Sequence, residues 1–473
     1  MTADVGPAPI RPGQLRRGEV GADPVSEVGA AQARWRDERR DLDRRRAALA
    51  RLGARLHGDI DQVGSTGLLV APGWLPEAPV PLDRVELTWT DAVPAPAVDG
   101  TGPASSAVRP PWPSGRPFAT YAAAMGALAP PRVFEDRPSY RLLAVTSGPA
   151  GVGAGVRLVF GPGTYFGMVD VSEAVAHELA AATRAPIAAP TATQSPIAAL
   201  YTAPPARDHV PVAAPALADL PLRSAIGDPL GLGRRVVVPA ITALTLRRTA
   251  DGRARFLLHR RDAAKVAHGG GLTQVAPVGV FQAAGSDPAS QHLDLDLWRC
   301  LTREYREELL GAPEHRSDGR PLDHEGWPFA RALAAARRAG TVRAHWLGLG
   351  VDPLSLVADM LVAVVVDAPT FDELFAGLVA TNDEGDLVTG DGTADGPSAG
   401  GPSADGPGAD GPRPDGPSAD DPGAHGPRPD GPTVTGLPFT AATVQRLLVD
   451  EPMQAAGAAV LDLAWRHRAA LLA

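Results

Sequence analysis

The segment REYREELLG, residues 303–311, carries Glu304, Glu307 and Glu308 behind Arg303. On an α-helix, positions three and four apart share a face, so the three carboxylates project together and Arg303 can pair with Glu307. Like charges at this spacing destabilise a helix by about 0.2–0.5 kcal/mol per pair. A divalent cation reverses the sign. Hard oxygen ligands suit Mg²⁺ or Mn²⁺, and Mg²⁺ on one or two carboxylates keeps waters and substrate phosphates as its other ligands. Such an ion neutralises pyrophosphate charge and lowers the pKa of an attacking water. The same spacing also fits a solvated, salt-bridged surface helix, which is its commoner origin.

Other reactive residue types lack the partners their chemistry needs. His177-Glu178 would open a zinc-protease helix, but that motif needs a second histidine four residues on, and position 181 is alanine. Lys265 and His268 precede Gly269-Gly270-Gly271, which has no phosphate-loop pattern and reads as a flexible turn. His259, Arg260 and Arg261 have two readings, contact with substrate phosphates or a solvated strand end. Cys300 is the sole cysteine and has no legible base beside it, so it reads as a buried structural residue.

The chain that must position these residues is 473 long, enough for two or three domains. Hydrophobic residues make up 44%, enough for a sizeable core, while 52 glycines and 49 prolines mark part of the chain as loop. The net charge of −9 argues against a general nucleic-acid binder. The opening MTADVGPAPIRPG lacks the apolar core of a signal peptide. The longest apolar run, LVADMLVAVVVDA at 356–368, is too short to cross a bilayer and reads as a buried strand containing Asp359. The expected location is the cytoplasm.

Residues 1–30 read as a disordered N-terminus and 31–56 as an arginine-rich helix. In that helix Trp35, Leu42, Leu49 and Leu56 recur every seven residues, with nine arginines against four acids between 34 and 55. The stripe has three readings: docking on its own domain, self-association, or nucleic-acid contact. Residues 57–185 read as an α+β region. There GLLVAPGWLP, RVELTW, YRLLAV and VRLVF are strand pieces, GPGTYFGMV a turn, and DVSEAVAHELAAATR a helix capped by Asp170 or Ser172. Residues 186–221 read as a linker. From 222 the strands are RRVVVPAITALTLRR and ARFLLHRR around a TADG turn, then LTQVAPVGVFQ, RAHWLGLGVD and ADMLVAVVVDA. A helix is expected at about 293–310 and a short one in TFDELFAGLVA. Over 389–433 prolines recur every five residues from Pro397 to Pro432, the pattern of a flexible insert. Helical patterning resumes after it, so the insert interrupts a domain spanning 222–473.

With these residues in view, the chain resembles the Nudix hydrolases, whose signature is G-x5-E-x7-R-E-U-x-E-E-x-G-U with U bulky and apolar. REYREE at 303–308 matches R-E-U-x-E-E with Tyr305 as U, and PVGVFQ places Gly279 as the box glycine. LTLRRTADGRARFLLHRRD is similar to the family's early hairpin, and the likeness covers roughly 222–388 and 434–473. It departs in three places. The segment from Gly279 to Arg303 is about ten residues longer than the signature's. Gly285 stands where the first glutamate belongs, with Asp287, Asp294 and Asp296 as alternatives. Gly311 comes one place late.

The resemblance implies an α/β fold: a Nudix-like α/β/α sandwich with a mixed sheet in the C-terminal half, preceded by a smaller α+β N-terminal region. It implies Mg²⁺ (or Mn²⁺) on Glu304, Glu307 and Glu308, with Arg303, Glu304 and Glu307 catalytic. The glutamates hold the metal and supply the base, and Arg303 orients a glutamate by salt bridge. Gly279, Arg260 and Glu384 would contact the substrate. The implied activity is hydrolysis of a pyrophosphate bond in a nucleoside diphosphate linked to another moiety. The alternative is a weak or inactive Nudix-like sensor of a nucleotide ligand. The expected partner is a nucleotide-like small molecule, with neither membrane nor nucleic acid, and self-association through the N-terminal helix stays open.

Overall fold

The apolar run at 356–368 becomes a strand covered on both faces, and the rest of the fold is arranged around it. The computed structural model describes residues 24–132, 134–147, 155–183, 215–261, 272–313, 321–379, 385–388 and 436–473. In chain order the first part contains α1 (Pro24–Leu56), β1 (Val80–Pro81), β2 (Val85–Trp89), α2 (Pro103–Ser106), α3 (Tyr121–Leu128), β3 (Pro138–Ser147), β4 (Val156–Thr164), α4 (Tyr165–Ala182) and α5 (Pro221–Ile226). There follow β5 (Ala240–Arg248), β6 (Ala254–Phe256), β7 (Leu258–Arg261), β8 (Thr273–Val275), β9 (Val278–Val280), α6 (Pro288–Leu293), α7 (Leu297–Glu304) and α8 (Pro328–Arg338). The last part contains β10 (Val342–Val351), β11 (Ala358–Asp367), α9 (Ala368–Leu374), β12 (Gly385–Val388), β13 (Leu437–Pro438), α10 (Ala441–Asp450), α11 (Ala455–Arg466) and α12 (Arg468–Leu471). The insert at 389–433 and most of the linker expected at 186–221 lie outside the described residues.

The main sheet runs β1-β10-β11-β5-β6-β13, with β9 also paired to β5. β11 and β5 are parallel, from Asp359 opposite Ala240 to Asp367 opposite Arg248, and the other pairs are antiparallel. Successive side chains of a strand point to opposite faces. Met360, Val362, Val364 and Val366 of β11 enter one core with Leu297 and Leu301 of α7. Leu361, Ala363 and Val365 enter another with Val444 of α10 and Val460 and Leu461 of α11. A strand buried on both sides carries no polar alternation, which accounts for the continuous run. The expected mixed α/β class is observed. Among the described residues no helix is long and apolar enough to cross a membrane.

The N-terminal region has its own sheet, β2-β4-β3, and also reaches the main one: β1 pairs with β10, and Leu142 N donates to Val237 O at 2.8 Å. Helix α1 begins at Pro24, ahead of the boundary expected at 31. Its stripe docks within the chain, Leu42 and Leu49 packing with Ala176 and Leu179 of α4. Two of its arginines are buried as well. Glu173 of α4 accepts from both Arg39 and Arg46, the latter at 2.7 Å. The cap expected at Asp170 or Ser172 is corrected. β4 runs through the predicted turn to Thr164, whose hydroxyl accepts from Gly167 N at 3.0 Å and starts α4 there. Asp170 lies inside the helix and accepts from Ala122 N at 2.7 Å. His177 and Glu178 are structural: His177 Nδ1 meets the Tyr121 hydroxyl at 2.8 Å, and Glu178 accepts from Leu222 N and Arg223 N at the start of α5.

Asp359 is the polar residue inside the apolar run, and it is 1% exposed. Thr242 Oγ1 donates to its Oδ1 at 2.9 Å, and its Oδ2 meets no donor among the described residues. Burial, aided by Asp352, pushes its pKa from 3.8 up to about 8. The folded chain therefore holds a proton that the unfolded chain releases. Stability is greatest below the unfolded value and is lost as pH rises toward about 8.

Two outcomes follow. Asp359→Asn should flatten the decline of urea-unfolding free energy between the two pKa values and gain most on the native protein at the alkaline end. Glu173→Ala leaves two buried guanidinium groups without their shared anion and should cost about 3–5 kcal/mol in the same measurement.

Candidate functional site

The acidic segment is two helices and a widened turn. Asp287 caps α6 by accepting from Ser290 N, and Asp296 caps α7 by accepting from Arg299 N, each at 2.9 Å. A capping residue leaves helical backbone, so the helix expected over about 293–310 starts at Leu297, with the separate α6 ahead of it. Past Glu304 the backbone opens into a π-turn at Tyr305–Leu309. Tertiary contacts hold it open. The Tyr305 and Thr245 hydroxyls share a hydrogen bond at 2.9 Å, and Leu309 O accepts from Val379 N at 3.0 Å. Gly311, at φ +66°, ends the segment in the left-handed region that glycine favours.

The structure brings Glu304, Glu308 and Gly279 together. Val278 N donates to Glu308 Oε2 at 3.1 Å, and Glu308 is 3% exposed. The Glu304 carboxylate lies on Gly279, where a methyl group would sit 2.0 Å from Glu304 Cδ. Gly279 pairs with Ile241, whose side chain joins the core under α7, so the missing Cβ faces α7. Both carboxylates therefore meet one short strand, β9. Glu307 is half-buried and lies within electrostatic reach of Cys300 and Arg303.

Arg303 is 4% exposed. Burial pulls its pKa down, but Cys300, Asp294, Glu304 and Glu307 outweigh that and raise it. Arg303 forms an ion pair with Asp294 at 3.5 Å, lies within electrostatic reach of Glu304 and Glu307, and donates to Gln282 O. Asp294 is fully buried and further accepts from Ala284 N at 2.9 Å and Arg299 Nε at 3.0 Å. Of the three aspartates between Gly279 and Arg303, Asp294 is thus the one that meets the arginine, since Asp287 and Asp296 serve as caps. Cys300 is fully buried, and burial pushes its thiol pKa up, leaving it protonated and unreactive.

One expected contact, Arg260, is not brought here. Arg260 is largely exposed, 3.9 Å from Glu451 beyond the end of α10, the helix on the opposite face of the sheet from α7. Glu384 lies outside the described residues, as do Lys265, His268 and the glycine run. Sequence reasoning missed the backbone partners, Val278 N–H and the Gln282 carbonyl, because main-chain groups carry no residue signature. Among the described residues no group of three or more His, Cys, Asp or Glu side chains is arranged to hold a metal ion. The site offers two hard-oxygen donors, Glu304 and Glu308, on one strand edge.

No family model matches the chain, and no curated protein matches it either. The contact between Glu304 and Gly279 can be tested directly. Gly279→Ala should cost about 1–3 kcal/mol of unfolding free energy through overpacking. In a Glu304→Ala background the same methyl should cost less than half as much, measured as a double-mutant cycle.

Proposed function

We propose that this chain is a Nudix-like hydrolase that uses Mg²⁺ or Mn²⁺ to cleave the pyrophosphate of a nucleoside diphosphate linked to another moiety. The observation that carries the reading is the convergence of Glu304 and Glu308 on the Val278–Gly279 edge, where the absent side chain leaves room for the Glu304 carboxylate. Three features support it. The main sheet lies between α7 on one face and α10 and α11 on the other, which suits an α/β/α sandwich. A π-turn holds one more residue than an α-turn, which accounts for Gly311 arriving one place late. Asp294 gives Arg303 the carboxylate that Gly285 cannot.

Two carboxylates are a fitting donor set for Mg²⁺, which keeps several waters rather than filling an all-protein cage. When bound, the ion supplies charge neutralisation and a more acidic water. The chain's own groups do the rest. Glu304 and Glu308 hold the cation against β9, Glu307 accepts the proton of the attacking water, and Arg303 keeps α7 in register with the Gln282 carbonyl. Substrate contacts are left to groups outside this cluster, since Arg260 lies elsewhere.

A nucleotide sensor is the second reading. It is favoured by the burial of Glu308 and its bond to Val278 N, which commit one carboxylate to the backbone.

The test is incubation of the full chain with a panel of nucleoside diphosphate conjugates and Mg²⁺. Glu307→Gln and Glu308→Gln should each lower turnover by about 10²-fold or more. Binding without product, undiminished by EDTA, sinks the hydrolase and leaves the sensor.

A further inference from the structure

We propose that the N-terminal sheet is a built-in clamp on the acidic site, with Tyr140 of β3 as its positioning residue. The clamp rests on the reading of Glu304 and Glu308 as a cation site. β3 lies against the chain just after β9. Ser139 bridges Gln282 antiparallel, and Tyr140 N donates to Phe281 O at 3.4 Å. The Tyr140 ring is buried, 4.7 Å from that of Phe281, and its hydroxyl donates to Gln291 O in α6 at 2.7 Å.

These attachments bracket Arg303. Its hydrogen-bond acceptor, Gln282 O, lies on the segment that β3 bridges. Its ion-pair partner, Asp294, closes the helix whose Gln291 carbonyl Tyr140 holds. A single tyrosine therefore sets the separation of the two groups that fix Arg303, and Glu304 is the next residue in the chain. The need for such a clamp follows from the length of this segment. A longer connection costs more entropy to order, and here a second sheet restrains it from outside.

Tyr140→Phe keeps the ring packing and removes the bond to Gln291, and it is tested in the full chain. Amide hydrogen exchange without metal should quicken about tenfold across 284–294 and stay unchanged in β5 and β11. Titration with Mn²⁺ should show affinity lowered several-fold, with no more than the small fall in urea midpoint that loss of one hydrogen bond brings. A purely structural tyrosine would move the midpoint and leave Mn²⁺ affinity alone. Asp294→Asn acts on the same anchor, so the double variant should bind Mn²⁺ no more weakly than the worse single one. Native exchange and native affinity in Tyr140→Phe, or additive losses in the double variant, overturn the clamp. If the native chain takes up no Mn²⁺, the cation reading fails, and the exchange result alone decides the clamp.

Discussion

Buried guanidinium groups have to be satisfied, and meeting that demand ties this fold together. An arginine taken out of water keeps its charge and its five donors, so it must find carboxylates or carbonyls where it lies. The buried arginines here find at least one such acceptor on a distant part of the chain. Arg46 of α1 reaches Glu173 of α4. Arg223 of α5 donates to the carbonyls of Pro353 and Leu354 at 2.9 and 2.6 Å. Arg235 donates twice to Leu356 O. Burial lowers the pKa of Arg223 and Arg235 to about 10, and both remain charged near neutrality. Together they pin the turn between β10 and β11, where Leu356 adopts φ +60°, uncommon for leucine. With only 5% aromatic residues, the chain has few large rings to lock its elements, and these charged cross-links add specificity to a mostly aliphatic core.

Arg303 belongs to the same pattern and joins it to the candidate chemistry. Its acceptor lies in the segment after β9 and its ion-pair partner at the end of α6, so α7 is held at both sides of the loop that precedes it. Glu304 and Glu308 are then fixed by what they touch on β9: a backbone N–H for one and the bare face of a glycine for the other. Arg303, within electrostatic reach of Glu304 and Glu307, places a positive charge beside these carboxylates.

Much of the main sheet was legible because burial on two faces leaves a mark in the residues themselves. The run at 356–368 and the strands around TADG are local patterns, and local patterns survive folding. The acidic site was legible in part. The identity of Glu304, Glu308 and Gly279 could be read from spacing and resemblance, but their geometry could not. Helical spacing assumes an α-helix, and the π-turn at Tyr305–Leu309 follows from contacts with Thr245 and Val379 that are distant in sequence. The same holds for α1. The burial of two of its arginines left no local mark, because Glu173, which pairs with both, lies far along the chain. Asp170 looked like a cap because caps are read locally, whereas its bond goes to α3.

The parallel pairing of β5 with β11 has a further implication. Two adjacent parallel strands need a crossover, and here the crossover carries β6 to β10 together with α6, α7 and α8. Every group of the acidic cluster sits inside that one connection, hung between two neighbouring rungs of the sheet. The strands can be conserved as a frame while the connection between them changes length, and a lineage can reshape its chemistry there without rebuilding the scaffold.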